Sequence, residues 1–457
     1  MKSKYLLLVI LCALPGLLTN EARAIDPDLG HFLFSKQQQI HDLSEGLTNR
    51  VPAVVWSFFD AVRVDDWNTA SNLAAHIDLA SQRYSQATND AMTPALRTLL
   101  WPPISECWGA YGEFHNWNNY WLHRFGGEII QSVPRGSIYF GGTDPGRFVI
   151  SALIESQVDG QPFFVLTQNQ LADSTYLDYS RSMYRKKLNL PTTDDLRQTF
   201  SEYVTNAQAR LKHDQQFPNQ PRQIKPGEWI TVAKDGRVQV SGQVAVMAIN
   251  ALLVKRIFDE NPQRQFFIEE SFPLDWMYPY LAPHGLIFQL NREPLAVISE
   301  KEIVGDRDYW KKLTGEMLGG WLEDNTSVRQ VCDFADKYGS GKHLEDYKGD
   351  KRFAENESAR KTFSKLRSSI GGLYAWRAEN SEDADERKRM YQSADLAFRQ
   401  SYAMCPNSPE VIWRYVNLLV NHRRYDDAVL IAKTSLHLDP DNQQLESLLS
   451  QLIKYQQ

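Results

Sequence analysis

The sequence predicts an α/β fold, a largely parallel sheet flanked by an N-terminal helical segment and a C-terminal helical array, and three observations predict it. Between residues 136 and 300, short apolar runs of strand character alternate with helical patterns. Helical periodicity without strand signals precedes them, and near the C-terminus one segment recurs at a fixed spacing. With 457 residues, 42% of them hydrophobic, the chain is long enough for two or three domains.

Residues 1–24 differ in kind from the rest. Lys2 and Lys4 precede the apolar run Tyr5–Leu18, and Ala22-Arg23-Ala24 puts small residues where a signal peptidase reads. The expectation is cleavage after Ala24 and export, to the periplasm or beyond the cell. The run is shorter than the roughly 20 residues a membrane span needs, and so is the longest later apolar stretch, Val244–Val254. No span is therefore expected in the mature chain. Loss of Lys2, Lys4, Arg23 and Glu21 takes the formal net charge from −6 to −8, which disfavours nucleic acid as a partner. Cys107, Cys332 and Cys405 remain, scattered, able to form one disulfide at most and lacking the spacing of a metal knuckle.

Residues 25–135 read as helices. "VPAVVWSFFDAVRVDDWNTASNLAAHIDLASQRY" predicts a helical hairpin around Asp65-Asp66, and a further helix is expected across Ile104–Val133, ending before Pro134. Its aromatic stripe from Trp108 to Phe125 reads as core packing rather than a sugar-stacking face. In 136–300 the expected strands are "SIYFGG", "PFFVLTQN", "GRVQV", "QFFIEE" and "GLIFQLN". Helices are expected at Pro145–Gln157, Ser174–Arg185, Thr193–Lys212, Gly242–Asp259 and near Leu274–Leu281. Such alternation implies βαβ units in a Rossmann-like sheet. Residues 301–359 form a helical linker.

From 360 to 457 the pattern repeats. "ADLAFRQSYAMCP" (394–406) and "AVLIAKTSLHLDP" (428–440) align without a gap, 34 residues apart, the tetratricopeptide period. "SPEVIWRYVNLLVNHRRYDDA" supplies the first helix and turn of the second unit, and Phe363–Ala378 the first helix of the preceding one. The charged stretch "ENSEDADERKR" reads as a solvated loop and "NQQLESLLSQLIKYQQ" as a capping helix. Trp413, Tyr415, Asn417 and Arg424 are the candidate contacts for a protein partner.

The loops offer little familiar chemistry. "GGTDPGR" (141–147) has the outline of a phosphate loop but lacks the lysine of a Walker motif and the glycine spacing of a dinucleotide fold. Asp144 fits as N-cap and Pro145 as first helical residue. Taken with "TQNQLADST" (167–175) and "EESFPLDW" (269–276), the loop suggests a rim beyond the carboxyl ends of neighbouring strands. Asp144, Arg147, Asn169, Asp173, Asp275, Trp276 and His284 are its ligand-binding candidates, and Asp144, Asp173, Glu269 and Glu270 its catalytic ones. A polyhydroxylated ligand or a divalent cation suits such a rim, and capping of helices by Asp144 and Asp275 is the competing reading. No cofactor and no metal site is assigned.

The order "SIYFGGTDPGRF", "FFVLTQNQLADSTYLDYSRSMY" and "FFIEESFPLDWMYPYLAPHGLIFQLNREPL", followed by the repeats, resembles the soluble C-terminal part of the membrane protein O-mannosyltransferase-like family. The matching positions are Gly142, Thr143 and Asp144, then Asn169, Asp173 and Tyr176, then Gly285 to Leu290. Family members carry a multi-span membrane domain, with the catalytic loop and the lipid-linked sugar donor site, N-terminal to this part. Here residues 25–135 stand in that place, so transferase activity is not carried over. The expectation is an exported scaffold that binds a protein through its repeats, in cell-envelope or glycan-related assembly. The alternative is a glycan-acting enzyme, or an accessory subunit of a glycosyltransferase, using the carboxylate rim.

Overall fold

The computed structural model describes residues 25–45, 51–82, 94–157, 160–184, 187–233, 237–270 and 273–456. The expected signal peptide and the Lys234-Asp235-Gly236 turn lie outside them.

Five helices come first: α1 (Pro27–Ser44), α2 (Ala53–Arg63), α3 (Trp67–Gln82), α4 (Pro94–Asn116) and α5 (Asn119–Ser132). The α2–α3 hairpin turns at Asp65, whose φ of 53° is left-handed. The single helix expected over Ile104–Val133 is two. The Asn118 side chain accepts the Tyr120 N–H at 3.1 Å and starts α5 afresh, because an Asx cap offers the backbone an alternative to continued helix. Helices α1 to α4 bury Phe32, Phe58, Ile104 and Tyr111 in a small core that Ala152 and Phe148, further along the chain, join. The aromatic stripe is packing apart from the exposed Tyr120: Trp121 and Phe125 lie 5.7 and 5.9 Å, ring to ring, from Phe363.

The sheet region runs β1 (Ile138–Gly141), α6 (Asp144–Leu153), β2 (Phe164–Thr167), α7 (Ser174–Tyr184), α8 (Thr193–Gln216), β3 (Trp229–Val232), β4 (Val238–Ser241), α9 (Gln243–Glu260), β5 (Phe266–Glu269), β6 (Leu281–His284) and β7 (Ile287–Leu290). The main sheet has the order β2-β1-β5-β7-β6. β1 pairs in parallel with β2 and β5, and every residue of these three strands is buried, as their continuous apolar runs require.

The sheet is mixed but largely parallel in direction: β2, β1, β5 and β6 run one way, and β7 runs against its neighbours β5 and β6. Gly285, at φ 62°, closes the β6–β7 hairpin, which is too short for a parallel crossover. "GRVQV" is not a main-sheet strand. As β4 it pairs with β3 in a separate antiparallel hairpin.

The C-terminal helices are α10 (Glu300–Leu318), α11 (Val328–Tyr338), α12 (Lys351–Glu355), α13 (Glu357–Asn380), α14 (Ala384–Met404), α15 (Pro409–Asn421), α16 (Tyr425–Leu438) and α17 (Gln443–Gln456). The charged stretch is mostly helix rather than loop. Only 381–383 are irregular, because the Asp383 carboxylate caps α14 at the Glu386 N–H, 2.8 Å away. Ala394 and Ala428, and likewise Ser401 and Ser435, are fully buried at the repeat spacing. The array is not free-standing. On α13, Arg377 donates to the Leu295 and Pro279 carbonyls at 2.7 and 2.8 Å, and one apolar core runs from the sheet to α17. Cys107, Cys332 and Cys405 are buried thiols without a disulfide.

Candidate functional site

The chain leaves β1 at Gly141 and enters α6 through Gly142 and Thr143. Thr143, not Asp144, is the N-cap: its hydroxyl accepts the Gly146 N–H at 3.1 Å, and Asp144 and Pro145 take the first helical positions. The donors at this helix start are not open to a phosphate, because a side chain of the next strand fills the place. Glu269 ends β5 beside Gly141 in parallel register. Its carboxylate accepts the Thr143 N–H at 3.0 Å, the Thr143 hydroxyl at 2.6 Å and the Gly142 N–H at 3.3 Å. A helix N-terminus favours a negative group, and here the group is intramolecular. Burial nonetheless pushes the Glu269 carboxyl above its ordinary range, with the Thr143 and Gly142 bonds pulling it back.

The two inner glycines follow from that arrangement. A Cβ on Gly146 would fall inside the Glu269 carboxylate, and one on Gly142 inside the Glu270 carboxylate. Both glutamates are buried, because β5 ends at Glu269 and strand alternation does not carry on to Glu270. Glu270 instead turns toward β2, where Gln168 Nε2 donates to it at 2.9 Å, and its backbone carbonyl accepts the Ser369 hydroxyl of α13 at 2.8 Å.

Because β2, β1 and β5 are adjacent, Asp144, Asn169, Glu269 and Glu270 do share one rim. Asn169 Nδ2 ties it together by donating to the Gly142 carbonyl at 2.9 Å. Asp144 is exposed and pairs with Arg147 at 2.9 Å. Asp173 spends its carboxylate on the Thr175 N–H at the start of α7, 2.8 Å away. The remaining candidates lie elsewhere. Asp275 pairs with Lys225 at 3.5 Å, and with Trp276 it borders a separate groove of about 770 Å³, since Trp276 packs on Phe258 of α9 at 5.6 Å. His284 is the last residue of β6, its Nε2 held 2.9 Å from the Ser132 carbonyl and its ring 4.9 Å from Phe267.

Over the rim lies a cleft of about 460 Å³, closed by helices that sequence reasoning did not bring to it. Glu113 of α4, Lys361 and Lys365 of α13 and Glu410 of α15 face Asp144 and Glu270 across it. Lys365 pairs with Glu410 at 2.9 Å. Glu113 accepts the Trp117 indole N–H at 2.9 Å, and burial, helped by the nearby Asp144 and Glu269 charges, pushes its carboxyl up to about 7. A carboxyl poised there holds or gives up a proton near neutrality, the condition for general acid or base work. The one signal for Glu113 in the sequence is its place as a lone acid in the aromatic run "WGAYGEFHNW". Lys361, Lys365 and Glu410 had none, being brought in by tertiary packing.

Among the described residues Asp26, Asp28 and His123 set their ligand atoms within 4.8 Å of one another. The two ring nitrogens face different carboxylates, Nε2 toward Asp26 at 3.1 Å and Nδ1 toward Asp28 at 3.7 Å, which is ion-pair geometry rather than convergence on one ion.

Of the expected partner contacts, Trp413 is 43% exposed and Asn417, one turn on, is exposed beside it. Tyr415 is a correction. It lies on the opposite face of α15, fully buried, with its hydroxyl on Asp395 at 3.1 Å, and offers nothing to a partner. Arg424 is half-buried, held by Asp395 at 2.9 Å and Asp427 at 2.7 Å.

No protein-family model matches the sequence, and neither a curated protein nor a solved structure matches it.

Proposed function

We propose that the chain is an exported scaffold that holds a protein partner on its C-terminal helix pairs, tetratricopeptide-like in period, in cell-envelope or glycan-related assembly. The observation that carries this reading is the outer face of α15, where Trp413 keeps 43% of its surface exposed while the inner face is fully packed. Exposed tryptophans of this kind anchor interfaces. The test places a photo-crosslinking amino acid at position 413, and separately at the exposed Phe34 as control, in the intact protein in its own cells. A discrete adduct at 413 alone, suppressed by Asn417→Ala, supports the reading. Equal or absent labelling at the two positions refutes it.

A second reading is a glycan-acting enzyme or glycosyltransferase accessory subunit, and Glu113 favours it. A carboxyl at about 7 facing Asp144 in a cleft of about 460 Å³ suits acid–base chemistry on a polyhydroxylated substrate, with Lys361 and Lys365 as donors to its oxygens. The resemblance to the O-mannosyltransferase-like family agrees with a glycan there. Turnover of envelope oligosaccharides that falls at least tenfold in both Glu113→Gln and Asp144→Asn is the expected result. Turnover unchanged in both variants excludes this site.

A further inference from the structure

The N-terminal layer holds a buried polar cluster that neither reading uses. Lys36 of α1, its side chain 3% exposed, sets Nζ directly against Oε2 of Glu106 of α4, 14% exposed. The same nitrogen donates to the Tyr179 hydroxyl of α7 at 2.7 Å and, more loosely, to Gln39 Oε1 at 3.4 Å. The Tyr179 hydroxyl donates in turn to the same Glu106 oxygen at 2.8 Å. The Phe32 and Tyr179 rings lie 5.3 and 5.4 Å from Nζ, and Cys107, next in sequence to Glu106, is fully buried, so apolar groups wall the cluster.

An amine and a carboxyl group in contact, bridged by a hydroxyl that accepts from one and donates to the other, are the parts of an amide bond and of the proton relay that makes it. We propose that Lys36 Nζ and Glu106 Cδ join in an isopeptide bond with loss of water. One proton crosses the contact from Nζ to Oε2, leaving a neutral amine and acid, which a site closed to water holds at less cost than two separate charges. The Nζ lone pair attacks Cδ, and the π electrons of the Cδ–Oε1 bond move to Oε1. Tyr179 takes a proton from Nζ and passes its own to Oε2. The Cδ–Oε2 bond then breaks, Oε2 leaves as water, and the Cδ–Oε1 double bond is restored. Nothing is oxidised or reduced, and no co-reactant is needed. The fixed contact supplies the proximity and orientation that a condensation in water lacks.

The bond ties α1 to α4 across a sequence separation of 70 residues, and a link of that span restrains the unfolded chain as a long-loop disulfide does. It goes beyond the scaffold and enzyme readings and depends on neither.

The test is mass spectrometry of the chain from Ile25 onward, purified folded, kept at room temperature for several days and then denatured. The expected mass is about 18 Da below that of the sequence, one water, and trypsin then releases a branched peptide joining Lys36 to Glu106. Lys36→Met is expected to restore the full mass. Tyr179→Phe keeps the ring and removes the relay, and the joined fraction is expected to fall at least tenfold. Should either variant fail to fold, as its melting curve will show, the branched peptide of the parent chain decides. A parent chain at its full mass, with Lys36 and Glu106 in separate peptides, overturns the proposal. So does a loss of about 17 Da, one ammonia, with Lys36 joined to Gln39 instead. A joined fraction unchanged in a folded Tyr179→Phe chain overturns the relay.

Discussion

Replacing Glu113 by glutamine removes one proton site without reshaping the cleft wall. The side-chain carbonyl still accepts the Trp117 indole N–H, so packing and hydrogen bonding are kept. What changes is the response to pH. Burial holds the folded carboxyl at about 7 against an ordinary value of 4.5, so between those values the folded chain keeps a proton that the unfolded chain has released. The group's contribution to stability is therefore fully present below pH 4.5 and is lost as the pH rises through 7. At about 1.4 kcal/mol per unit, that displacement amounts to about 3 kcal/mol. Glu113→Gln is neutral throughout and escapes the loss. It should match the parent protein near pH 4.5 and exceed it by about 3 kcal/mol at pH 8.5, read from urea unfolding followed by far-ultraviolet circular dichroism. Glu269 is displaced in the same direction and its charge is among those that raise Glu113, so the difference reports Glu113 together with that coupling. A stability difference that stays flat from pH 4.5 to 8.5 would refute the reasoning, since it would mean that Glu113 is not held protonated by the fold.

Gly146→Ala should cost roughly 2–4 kcal/mol, because its methyl group takes the place of the Glu269 carboxylate and leaves loop donors unmet. Gly112→Ala is the control: nothing lies within 4 Å of the new carbon in α4, so thermal melting should show a gain of about 0.5–1 kcal/mol. Thr143→Ala removes both the cap on Gly146 and the 2.6 Å bond to Glu269, and a loss of about 1–2 kcal/mol is expected in the same assay. On α15 the two aromatic neighbours should part company. Tyr415→Phe loses the bond to Asp395 at about 1 kcal/mol, whereas Trp413→Ala shifts stability by no more than about 0.5 kcal/mol; equal costs would contradict the assigned faces.

The pattern of apolar runs located β1, β2, β5 and β7, and α6, α7, α8 and α9 start within a residue of their expected positions. Strand direction was beyond that pattern. Nothing in "YLAPHGLIFQL" distinguishes a hairpin from a crossover except the shortness of the turn, and β6, carrying a proline and a histidine, lacks the composition of a strand. The Asn118 break had a signal, an Asx cap in "NWNNYW", that the aromatic periodicity around it outweighed. In the site, it was legible that three polar loops each follow a buried strand, but not that the three strands are neighbours, which only the sheet order shows. Nor was the occupant of the glycine loop legible. Glu269 lies more than a hundred residues further on, and only β1–β5 pairing brings it there. Asp275 and Trp276 lie in the connection that takes the chain back from the end of β5 to the start of β6, and His284 shares the register row of Glu269 but two strands away from it.

The small core of α1 to α4, joined by Ala152 and Phe148 of α6, bears on how the molecule opens. Lys36 of α1, only 3% exposed, pairs with Glu106 of α4 and donates to the Tyr179 hydroxyl of α7 at 2.7 Å, a polar pin from the N-terminal layer to the sheet. With this small core and the pin, the layer is expected to open as a unit, its amide protons exchanging faster than those of the sheet. The sheet and the array share one core, and their slowest amides exchange only when both come apart together. Excising the array would therefore strip the sheet of its cover rather than release a module, and point substitutions are the means by which the two can be told apart.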